Sequence, residues 1–173
     1  MVVFDDRTEM EVLDRETCFA LLRAASVGRV AFCDDDETSV IPVNYVFDQD
    51  RVVFRTAGGA KLSAAIGGTE VAFEIDGVDA DERTGWSVIV HGAMTLVSDP
   101  DDVGHLEGLG LRPWARAPKE NWVAIHPRRT SGRRILTVAD QHRVGPYDRV
   151  QTPTGSPMHW RQAPETGPDD PQR

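Results

Sequence analysis

Gly85-Trp86-Ser87-Val88-Ile89-Val90-His91-Gly92-Ala93-Met94-Thr95-Leu96-Val97-Ser98 decides the fold. Read with a period of two, Trp86, Val88, Val90, Met94 and Leu96 fall on one face of a strand, and Ile89, Ala93 and Val97 on the other. A strand in an antiparallel sheet usually turns one face to water and alternates apolar with polar residues. One that is apolar on both faces calls for a barrel core on one side and a second layer or subunit on the other.

The neighbouring segments fit that frame. Upstream, candidate strands lie at 29–33, 39–47, 51–56 and 70–76, the first three joined by hairpin turns at Asp34-Asp35-Asp36-Glu37 and Asp48-Gln49-Asp50. Downstream, two more fit 121–126 and 133–139. Asp14 is an N-cap for a first helix reaching about Ala25, with Cys18, Leu21, Leu22 and Ala25 at helical spacing, before Gly28 breaks the pattern. Two glycine pairs bracket about two turns of helix within 57–68, and Asp99-Pro100-Asp101-Asp102 opens another helix of about ten residues. Six or seven short antiparallel strands with small helical inserts make a mainly β chain, closed or nearly closed into a barrel because closure removes exposed edges. The barrel takes residues 1–140. From 141 to 173 a tail with Pro146, Pro153, Pro157, Pro164, Pro168 and Pro171 shows little periodicity and reads as flexible.

Composition excludes several classes. The 173 residues suit one domain, 40% are hydrophobic, and 19 Lys and Arg against 28 Asp and Glu give a net charge of −9. No apolar run approaches the ~20 residues of a membrane span, and residues 1–7 are too acidic for a secretory signal, so a cytoplasmic protein without a membrane partner is expected. Cys18 and Cys33 lie in apolar stretches and read as small buried hydrophobes; with no second Cys or His at metal spacing, no metal site is expected. Neither a metal-binding histidine pair nor a G-x-S-x-G elbow occurs, and no side chain stands out as a general acid or base. Between 112 and 134, seven cations and the tryptophans Trp114 and Trp122 face a single acid, Glu120. The strongly acidic remainder would repel a polyanion, so these arginines are expected to pair with acidic surfaces or a phosphorylated ligand rather than nucleic acid.

Three segments carry the chemistry. In Phe54-Arg55-Thr56-Ala57-Gly58-Gly59-Ala60-Lys61-Leu62 a strand ends at a cation, glycines admit close backbone approach, and Lys61, one of two lysines, opens a helix. These are the parts of a phosphate cradle, without the spacing of a Walker A loop, and no G-x-G-x-x-G follows a strand. Ile41-Pro42-Val43-Asn44-Tyr45-Val46 is a strand holding a proline, which belongs at an edge. There Asn44 can hydrogen-bond the rim of a flat heterocycle while Val43 and Tyr45 alternate to the opposite face. Trp86, beside Gly85 and Ser87, either packs on a planar ligand or fills the barrel mouth.

In order and spacing, Val27-Gly28-Arg29-Val30-Ala31, Pro42-Val43-Asn44-Tyr45, Phe54-Arg55-Thr56 with Gly59 and Lys61, Gly85-Trp86-Ser87-Val88 and Ser131-Gly132-Arg133-Arg134-Ile135 resemble the pyridoxamine 5′-phosphate oxidase-like, FMN-binding split-barrel family. The resemblance runs from about Leu13 to Leu136. It implies an antiparallel split β-barrel working as a homodimer, with two flavin sites at the subunit interface. Arg55 and Lys61, with Leu62 alongside, would hold the flavin phosphate, and Thr56 and Gly59 would add backbone or hydroxyl contacts. Pro42, Val43 and Asn44 would line the isoalloxazine, and Trp86 with Ser87 would close the site. The implied activity is an FMN-dependent oxidoreductase moving hydride or electrons to or from a small molecule. Alternatives are a reductase using a deazaflavin coenzyme, its longer anionic tail reaching Arg128 or Arg129, and a non-catalytic flavin- or haem-binding barrel. The Arg-Leu-x-Pro ending of the vitamin oxidase is missing, so oxidation of pyridoxamine phosphate is not implied.

Overall fold

The structure, a computed structural model, describes residues 3–5, 10–34, 37–59, 67–114 and 119–137. Lys61, Leu62, the helix expected beside them and the tail from 141 lie outside the described residues. In chain order the elements are β1 (Val3–Asp5), β2 (Met10–Leu13), α1 (Arg15–Ala24), β3 (Val27–Asp34), β4 (Glu37–Asp48), β5 (Arg51–Thr56), β6 (Glu70–Asp79), β7 (Thr84–Val97), α2 (Pro100–Gly108) and β8 (Asn121–Ile135). The strands form one antiparallel sheet in the order β1-β2-β8-β5-β4-β3-β6-β7, and β7 also pairs with β8. That last pairing closes β8-β5-β4-β3-β6-β7 into a ring and leaves the β1–β2 hairpin as a flap on β8.

Alternation fills the ring. Val30 and Phe32 of β3, Val43 and Tyr45 of β4, Val52 and Phe54 of β5, Val71, Phe73 and Ile75 of β6, Val88, Val90 and Met94 of β7, and Val123 and Ile125 of β8 share one buried core. Each such side chain contributes roughly 1.5–3 kcal/mol when fully buried. Gly28 also faces inward, where a Cβ would stand 2.2 Å from the Phe73 ring, so packing excludes any larger residue.

Helix α1 begins where Asp14 Oδ1 accepts the Thr17 N–H at 2.7 Å, which also holds the Asp14 carboxyl below its ordinary pKa. Its face of Cys18, Phe19 and Leu22 joins the barrel core, and a Cβ on Gly132 of β8 would lie 2.7 Å from Cys18 Sγ. The buried Tyr45 hydroxyl donates to the Leu22 carbonyl at 2.7 Å and ties the helix to β4; burial pushes this phenol well above its usual pKa. The other helix packs outside. Val53, Leu106, Trp122 and Ala124 form a second buried cluster, with Val46, Val97, Val103 and Leu111 against it. The outer face of β7 is thus covered by α2 at Val97 and half-buried at Ile89 and Ala93.

Two expectations are corrected and one element is added. The strands expected at 121–126 and 133–139 are one continuous β8, and its register with β7 shifts between His91 and Gly92, leaving Arg128 as the extra residue of a bulge. Pro127 is tolerated inside this strand because the pairing of β8 with β5 ends at Ile125 and its pairing with β2 begins at Gly132, leaving that flank unpaired between them. Cys18 is buried as expected, but Cys33 is exposed, since it follows inward-facing Phe32 on β3. The β1–β2 hairpin was not expected at all.

Candidate functional site

The barrel opens at one seam. β4 and β5 share the pairs from Asp48↔Arg51 to Tyr45↔Phe54 and then part. Beyond that point Arg55 and Thr56 pair with Trp122 and Asn121 of β8, while Asn44 and Pro42 keep only their β3 partners, Val27 and Arg29. The Tyr45 N–H donates to the Ser26 carbonyl at 3.1 Å, so alternation aims the N–H groups of even-numbered β4 residues away from β3, towards β5. The parting begins at Asn44, and two residues further on Pro42 has no N–H with which the ladder could resume. The edge proline of the sequence reading is therefore in place.

Because Val43, Tyr45 and Phe54 point inward, Asn44 and Arg55 point outward beside the seam. The Arg55 guanidinium lies over the Trp122 ring, 5.1 Å from its centre. Its Nε is buried with no hydrogen-bond partner among the described residues, as are Arg51 Nε and Trp122 Nε1, and, unlike Arg51, Arg55 has no ion pair among them. Just past β5 the chain turns through Gly59 at φ +109°, a conformation that favours glycine, and a Cβ on Gly58 or Gly59 would meet nothing within 4 Å. The result is a cation with an unmatched donor beside open main chain, which fits a phosphate-bearing ligand. Asn44 Oδ1 accepts the Trp114 N–H at 3.0 Å, and the Trp114 indole is 73% exposed. Sequence reasoning set Trp114 only within a basic segment; nothing in its neighbours marked it as lying against Asn44.

Other site residues are placed differently from expectation. Val43 and Thr56 are 4% and 2% exposed and face inward, which leaves their main chains nearer to an outer ligand than their side chains. Trp86 and Ser87 are not brought to Arg55 within one chain. Trp86 faces inward at the barrel mouth over Gly77, where a Cβ would come within 2.7 Å of the indole. It lines a cavity of about 460 Å3 with Gly77, Thr84, Gly85, Arg134 and Ile135, and no residue from 42 to 59 borders it. Ser87 faces outward between Asp76 and Arg133 in register. Asp76 in turn accepts from Arg29 at 2.6 Å, the β3 partner of Pro42, so β3 and β6 stand between Pro42 and Ser87.

The basic segment does pair with acidic surfaces, through Arg128 with Glu70 at 2.8 Å and Arg134 with Glu11 at 3.3 Å. Among the described residues no helix is long and apolar enough to cross a membrane.

Comparison with known proteins places these features. Residues 14–134 match the family model described as pyridoxamine 5′-phosphate oxidase. An uncharacterized protein of Mycobacterium tuberculosis is 39% identical over 133 residues, 74% of this chain and 87% of that one. The solved structure of an FAD-binding protein from Mycobacterium smegmatis superposes with a TM-score of 0.62 at 36% identity, covering 72% of this chain and 99% of its own. An FAD- and haem-binding protein from the same organism shares the fold at 17% identity and a TM-score of 0.57, covering 91% of this chain and 92% of its own.

Proposed function

On the premise that the chain belongs to the pyridoxamine 5′-phosphate oxidase family, we propose that it is a flavin-dependent oxidoreductase whose seam between β4 and β5 binds FMN. Arg55 carries the reading. A phosphate accepts two parallel bonds from a guanidinium, and such a group would match a cation that, unlike Arg51, has no carboxylate partner among the described residues. Lys61 is the proposed second cation. The main chain of Pro42, Val43 and Asn44, lacking a strand to pair with on the β5 side, and the Asn44 amide would meet the polar rim of the ring. When bound, the flavin supplies reversible hydride or electron transfer. The chain's own residues hold the phosphate, orient the ring edge and keep its faces from water.

Trp86 and Ser87 are separated from Pro42 by two intervening strands, so in this proposal they close the site from a second copy, making the protein a homodimer with flavin at its interface. FAD, which the Mycobacterium smegmatis relative binds, and a deazaflavin coenzyme share the same pairing of phosphate and fused ring. The test therefore distinguishes them.

Purified protein is melted, and its absorbance recorded, with FMN, FAD, deazaflavin coenzyme or haem. A ligand at 100 times its Kd stabilises the folded state by about 2.7 kcal/mol. FMN is expected to raise the Tm most, and Arg55→Ala with Lys61→Ala to abolish that shift while the apo protein stays folded. No shift with any flavin overturns the function; stoichiometric FMN retained by the double variant overturns the site.

A further inference from the structure

Trp114 has the largest side chain among the exposed hydrophobic residues of the described structure, yet its main chain is anchored. Three devices hold it. α2 is fastened to the barrel by Arg51, which donates to the Asp102 carboxylate at 2.8 Å and through a second guanidinium nitrogen. Gly110, at φ +71°, turns the chain out of the helix, and Leu111 then joins the cluster over β5 and β8. Finally the Trp114 N–H reaches back across the seam to Asn44 Oδ1. Trp122, eight residues later, is 3% exposed and carries Arg55 on its ring. One indole of this segment supports the candidate phosphate cation, and the other stands uncovered next to Asn44.

We propose that Trp114 is a ligand-binding residue of the flavin site, its indole stacking on the fused ring of a flavin whose phosphate lies on Arg55. The inference rests on the flavin reading above. Stacking suits an exposed indole carried on an anchored main chain, because a planar partner buries a full aromatic face. The same residue is a positioning residue for Asn44. With Oδ1 engaged by the Trp114 N–H, the amide presents Nδ2, a donor, to the acceptor-rich edge of the ring. A charge alone binds any phosphate; an indole beside it selects those that carry a flat ring.

The test is a titration of wild type, Trp114→Ala and Trp114→Phe with FMN, read by flavin fluorescence and repeated by sedimentation. Trp114→Ala is expected to weaken FMN roughly tenfold and to leave the bound flavin brighter, because a stacked indole quenches it. Trp114→Phe should recover most of the affinity without the quenching, and the oligomeric state should be unchanged in both. Wild-type affinity and brightness in Trp114→Ala overturn the inference and leave the flavin reading standing. A change of oligomeric state in Trp114→Ala also overturns it, since the indole would then cover a second copy. If the wild type binds no flavin, both fall together.

Discussion

β5 carries an arginine at each end of its outer face, Arg51 and Arg55, and the two are treated in opposite ways. Arg51 is 11% exposed, bonded twice to Asp102 and 3.9 Å from Asp48, which His105 also reaches at 3.1 Å. Arg55 has an aromatic ring under it and no carboxylate paired with it among the described residues, although the chain holds 28 acidic residues. At the first end the carboxylate comes from within, carried on α2, and the charge is used to fasten a helix. At the second, the partner is missing and the flanking main chain is open. The contrast separates a cation that holds the fold from one that, in the proposed function, meets a ligand.

The sharpest way to break that contrast is Arg55→Met. It should lower FMN affinity by at least about 100-fold, the loss of two charge-assisted bonds, while the ligand-free Tm stays within ~2 °C, because no internal ion pair is lost. Calorimetric titration and a thermal melt measure both, and a large fall in Tm would make the two ends alike. Asp102→Ala should do the reverse. It leaves Arg51, in a nearly buried position, with only the longer contact to Asp48 and should cost about 2 kcal/mol, or roughly 4–8 °C in Tm, with FMN affinity changed less than ~3-fold because no proposed ligand contact is touched. The smallest effect is in acid. The Arg51 hydrogen bond holds the Asp102 carboxyl below its ordinary value, so the unfolded chain takes up that proton first. The stabilisation is complete above the unfolded carboxyl range and drains away as pH falls through the lower folded value. Urea melts of wild type and Asp102→Ala at falling pH should therefore converge; a gap that stays constant would show that the pair does not carry the difference.

Much of the fold was legible because alternation and caps are local. The apolar two-faced strand, the Asp14 and Asp99 caps and the β3–β4–β5 meander all depend on neighbours a few residues away. What escaped depends on partners far along the chain. Pro127 reads as a breaker, and only the absence of both β5 and β2 beside it lets β8 run through. Cys33 looked like its apolar neighbours but falls on the outward parity of β3. In the candidate site, Arg55, Gly59 and the edge at Pro42 could be read from a short stretch, whereas the inward turn of Thr56 follows from its pairing with Asn121. The Asn44–Trp114 contact spans 70 residues through a loop with no periodic signal. Trp86 and Ser87 were grouped with Arg55 by resemblance, and within one chain the barrel sets them apart.

One more consequence follows from β8. It is paired along its length with β7 on one flank and with β5 and then β2 on the other, so it is where the earliest and latest described strands meet. As a ribosome adds residues one by one, β3, β4 and β5 can form their meander early, but the ring stays open until β8, which begins at Asn121, emerges to pair with both β5 and β7. The nascent chain must therefore carry an unclosed sheet, with its future core exposed, for most of its synthesis, and it pays the loop entropy of distant pairing in one late step.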